Sequence, residues 1–100
     1  MYADFVYDVR VATGLSEEDV LTRFESLTGK EKEVVHDLYS ASRSVRMASV
    51  QTALNAEYEE SVGLIQEANR VFLNSVRGLW QVVKVLELSL IHISEPTRPY

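Results

Sequence analysis

The chain has no cysteine among its 100 residues. That excludes disulfides, zinc thiolate sites and thiol catalysis, and leaves the redox compartment open. Both prolines, Pro96 and Pro99, stand in the last five residues, and only four glycines occur in all. The sixty residues from Thr28 to Glu87 contain no proline and three glycines, so little in that stretch forbids a helix. Positive charge is not in excess: ten Lys and Arg face fifteen Asp and Glu, for a formal charge of −5. An acidic chain has no bulk attraction to nucleic acid or to anionic membranes. No apolar run reaches transmembrane length, because Lys84, Glu87 and His92 interrupt the most hydrophobic stretch, Leu79 to Ile93. No secretory leader is expected from MYADFVYDVR, where Asp4 and Asp8 stand in place of a basic region and an apolar core. A cytoplasmic location follows by default.

Helical periodicity is what the chain has instead. Thr28 and Glu31 form a T-x-x-E capping box, in which each side chain satisfies a backbone N–H of the first turn. Beyond it Val34, Leu38, Ala41, Val45 and Ala48 recur at three- and four-residue steps. Met47, Val50, Leu54, Tyr58, Val62, Ile65, Phe72, Val76, Leu79, Val83 and Leu86 continue the pattern. Upstream, Phe5, Val6, Val9 and Ala12 share one helical stripe, and Gly14 stands where a left-handed C-cap falls. Ser16 then caps a short second helix with Glu17, Glu18 and Asp19 at its positive end and Val20, Leu21, Phe24 and Leu27 as its apolar face. The expected fold is all-α: two short N-terminal helices packed against a long helix or long helical hairpin. The bend in the long stretch has two candidates, the serine-rich Ser40 to Ser44 and Asn55 to Gly63, with a last helix from about Ser61.

Residues Leu88 to Arg98, LSLIHISEPTR, resemble the in-frame translation of a transposase-type sequencing-library adapter. Codon by codon the adapter gives this run without a break, and its trailing base begins the codon of Pro99. The resemblance implies that residues 88–100 are a non-native tail and that residues 1–87 are a helical domain fragment whose natural chain continues past Glu87. The tail is therefore expected to contribute nothing to function. Pro96 and Pro99 are expected to keep the last residues out of helix.

Function is less legible. One native histidine, no cysteine, no phosphate loop and no Ser/His/Asp arrangement argue against an enzyme, and no cofactor is expected. Three readings remain. In the first the chain is a helical protein–protein interaction or assembly module. Ile65, Phe72, Val76, Leu79, Trp80 and Val83 then form a face completed by another copy or by a helical partner. The two short helices, each ~20 Å long, shield about half of a stripe that spans ~90 Å if straight. On this reading Phe72→Asp with Leu79→Asp shifts the chain toward monomer and lowers its helix content. In the second reading, Leu27 to Val35 resembles the opening of helix-turn-helix domains of the response-regulator and sigma-factor kind. That resemblance implies DNA binding through Arg43, Arg46 and Gln51. In the third, Glu33 and His36 form an E-x-x-H pair like that of ferritin-like metal bundles, without a second such pair to complete a site.

Overall fold

The computed structural model describes residues 2–94 in backbone and residues 2–87 in side chains. Among the described residues four α-helices follow one another: α1 Ala3–Thr13, α2 Glu17–Glu25, α3 Gly29–Ala53 and α4 Tyr58–Ser94. The class is all-α.

Local chemistry sets the first boundaries. Gly14 takes φ 79°, and its N–H bonds the Arg10 carbonyl at 2.8 Å, closing α1 in the left-handed conformation that glycine adopts without a Cβ penalty. The Ser16 hydroxyl accepts from the Asp19 N–H at 3.2 Å and opens α2. Both capping-box bonds of α3 are present, Glu31 N–H to Thr28 Oγ1 at 3.1 Å and Thr28 N–H to Glu31 Oε1 at 2.9 Å.

The long stretch folds back at Leu54–Glu57, at the edge of the second candidate bend. Ser40 to Ser44 run straight through α3, and Gly63 lies inside α4, which starts three residues earlier than expected. The Asn55 amide reaches back to the Gln51 carbonyl at 3.3 Å. The Asn55 and Ala56 N–H groups tighten to i−3 carbonyls, so the helix closes in a narrow turn without proline or glycine. α4 runs beyond Glu87 to Ser94. Pro96 and Pro99 lie outside the described residues.

α3 and α4 form an antiparallel hairpin, and α1 and α2 pack across its base. The molecule measures 66 × 22 × 22 Å, the elongation expected of a hairpin whose longer helix has 37 residues. The core joins Phe5, Val9, Val20, Phe24, Val35 and Tyr39 to Phe72, Val76, Trp80 and Val83. Phe5 sits at its centre, with ring centroids 5.0 Å from Phe24, 5.3 Å from Tyr39 and 6.4 Å from Trp80. Polar ties fix α1 in place: Tyr39 donates its hydroxyl to Asp8, and Arg77 Nε donates to the Ala12 carbonyl at 2.6 Å. Arg43 also reaches Asp4 at 3.2 Å.

Burial, then the Asp8 hydrogen bond, push the Tyr39 phenol well above its ordinary 10.0. In the unfolded chain the phenol ionises near 10; in the folded chain it stays protonated. This contribution is therefore complete below about pH 10 and is lost as the pH rises above it. Urea midpoints at about pH 9 and 11 are expected to fall further for the natural chain than for Tyr39→Phe. Equal falls would show that Tyr39 titrates freely.

Candidate interaction surface

Both hairpin helices carry two apolar faces, and adjacent apolar residues show it. In α3 the pairs Val34-Val35 and Leu38-Tyr39 send Val35 and Tyr39 into the core while Val34 and Leu38 stay about half exposed. In α4 the pairs Val71-Phe72 and Val82-Val83 divide the same way: Phe72 and Val83 are buried, whereas Val71 is 45% exposed and Val82 40%. Successive residues are ~100° apart on a helix, so each pair serves two directions.

The outer residues form regular rows. On α3 they are Val34, Leu38, Ala41, Val45, Ala48 and Thr52; on α4 they are Leu64, Val71, Ser75, Gly78, Val82 and Val85, with the buried Ala68 filling the step between Leu64 and Val71. Each row alternates steps of four and three, the seven-residue repeat of helices that pack side by side. Val45 and Val85 are the most open of the large apolar members, at 61% and 59% exposed. Between the rows runs a groove of about 810 Å³, whose apolar walls include Leu38, Val45, Leu64, Val71 and Val82. Ser42, Arg46, Ser49 and Ser75 also line it, and the Arg46 guanidinium lies 3.9 Å from the Phe72 ring centroid. Hydrogen bonds from the Arg70 guanidinium hold the Glu67 carboxyl at the groove edge below its usual range. A smaller apolar group, Met47, Leu54, Tyr58 and Val62, is exposed near the turn.

The six residues expected to face a partner lie elsewhere. Phe72, Val76, Leu79, Trp80 and Val83 are buried, and Ile65 is partly covered. α1 and α2 suffice to cover this part of the stripe because the hairpin doubles it back, so the base presents one compact face and not a straight rod. The apolar surface left open is the other side of the same two helices. Of its members, Val34, Leu38, Ala41, Val45 and Ala48 stand in the sequence as a helical stripe. Leu64, Val71, Val82 and Val85 were legible only through the adjacent pairs.

The remaining candidates do not converge. α3 continues unbroken from Leu38 through Ser49, so no turn separates a reading helix there. Arg43 is paired with Asp4, Arg46 stacks on Phe72, and Gln51 is exposed. Glu33 is exposed, while the His36 ring packs edge-on against Tyr2 at 5.3 Å. Among the described residues no three His, Cys, Asp or Glu side chains gather as a metal site. None of the described helices is long and apolar enough to cross a membrane. No protein-family model, curated protein or solved structure matches the chain.

Proposed function

We propose that this chain is a helical protein–protein interaction or assembly module, and that its binding surface is the open face of the α3–α4 hairpin. One observation carries the reading: two half-exposed apolar rows in seven-residue register flank a groove of about 810 Å³. Soluble monomers rarely leave so continuous an apolar patch uncovered. Helices accept apolar side chains at this spacing as knobs into holes, so another copy of the chain or a helical partner suits the surface and coiled-coil packing is the mode. A cytoplasmic setting belongs to the same proposal. The adapter-like residues 88–100 are read as playing no part in it.

Site-specific crosslinking tests the reading. A photoreactive side chain at Val45, on the open face, is expected to give protein adducts. The same group at Tyr7, exposed on α1 away from the groove, is expected to give none. Absence of adducts at Val45, or equal yields at both positions, would overturn the assignment of this face.

A further inference from the structure

Building on that reading, we propose that the occupant of the open face is a second copy of this chain, stacked hairpin on hairpin to complete a four-helix arrangement about a two-fold axis.

The direction of the rows points to two incoming helices and not one. A single helix laid along the groove would meet a lining that includes Ser42, Arg46, Ser49 and Ala53 from α3 and Ala68, Phe72 and Leu79 from α4. The apolar rows run on either side of the groove, one along the crest of α3 and one along the crest of α4. Each crest is matched by a helix lying on it, and a second hairpin supplies both at the right separation.

The surface is also complementary to itself. Branched side chains (Val34, Leu38, Val45, Leu64, Val71, Val82) alternate with small ones (Ala41, Ala48, Ser75, Gly78). One copy therefore offers knobs and the holes that receive them, as a two-fold interface requires. A Cβ built on Gly78 meets nothing within 4 Å, so space is available there. The outer flanks read Lys30, Asp37, Ser44, Gln51 along α3 and Glu60, Glu67, Asn74, Gln81 along α4. The α3 flank carries one charge of each sign, and the α4 flank carries its two acidic residues in its first half, followed by the neutral Asn74 and Gln81.

The dimensions suffice. From Val34 to Thr52 and from Leu64 to Val85 the rows span ~27 and ~31 Å, and packed helices lie ~8–10 Å apart. The face is thus roughly 30 × 20 Å, and pairing two copies buries about 1,200 Å², above the ~1,000 Å² expected of a specific interface. A lone helix about 10 Å wide would cover only about half of it.

The test is the mass of the full chain in solution by sedimentation from about 1 to 100 μM. A species of twice the 11.4 kDa chain mass is expected. Val45→Asp with Val71→Asp should weaken pairing by about a hundredfold or more with helix content unchanged. Val45→Glu alone provides a second variant, since glutamate is the better helix former on an exposed face. A chain that stays monomeric to about 100 μM would overturn the proposal, as would a dimer that neither variant weakens. A monomer whose Val45 still crosslinks to a different protein removes the second copy alone. A monomer without Val45 adducts removes the interaction reading as well.

Discussion

Phe72→Asp combined with Leu79→Asp is expected to unfold the chain. Phe72 is 2% exposed and Leu79 7%, both members of the core cluster that also line the groove between α3 and α4. Truncating such side chains costs about 3–5 kcal/mol for Phe and 2–5 for Leu, before any charge is considered. An aspartate with no partner in an apolar site adds the cost of desolvating its carboxyl or of protonating it. The total, about 5–10 kcal/mol or more, equals much or all of the 5–15 kcal/mol that holds a small domain together. Circular dichroism should show the helix signal collapse at the lowest workable concentration. If these side chains faced a partner, the same pair would leave a folded monomer that loses only part of its helix signal. A folded double variant would therefore return them to the surface and contradict the packing described above.

The contrast with Val45→Asp and Val71→Asp is instructive, because the two pairs lie on the same two-helix unit. Val71 and Phe72 are neighbours in the chain, yet only Phe72 belongs to the core. Sequence alone made the helices legible for local reasons. The Thr28–Glu31 box, Ser16 and Gly14 each act within a few residues, and each makes the bond its type implies. The bend was harder to place. Leu54, Asn55, Ala56 and Glu57 include neither proline nor glycine, and their reversal depends on how the hairpin packs.

The assignment of faces was not legible, for a similar reason. A helix with one apolar stripe announces its inner side, but α3 and α4 each have two. Val34 and Val35, or Val82 and Val83, are equally apolar, so composition cannot say which of each pair is covered. The choice depends on where α1 and α2 land. Asp8 to Tyr39 and Arg77 to the Ala12 carbonyl, contacts between residues 31 and 65 positions apart, fix that landing. The EVVH pair shows the same limit from the other side. Its i, i+3 spacing suits a shared ligand, but His36 is taken up by the Tyr2 ring.

Thiol labelling of two valines on α4 tests the central claim, that one face of this helix is core and the other is open. These 100 residues include no cysteine, so Val76→Cys and Val71→Cys each report a single position. Val76 is fully buried and Val71 about half exposed. In dilute native protein, where pairing of copies is least, the thiol at 71 is expected to react nearly as fast as in the unfolded chain. The thiol at 76 should react only through opening. With ~5 kcal/mol of protection, that makes it slower by about three to four orders of magnitude. A thiol at 76 that reacts as fast as the one at 71, in protein whose helix signal is intact, would contradict the account.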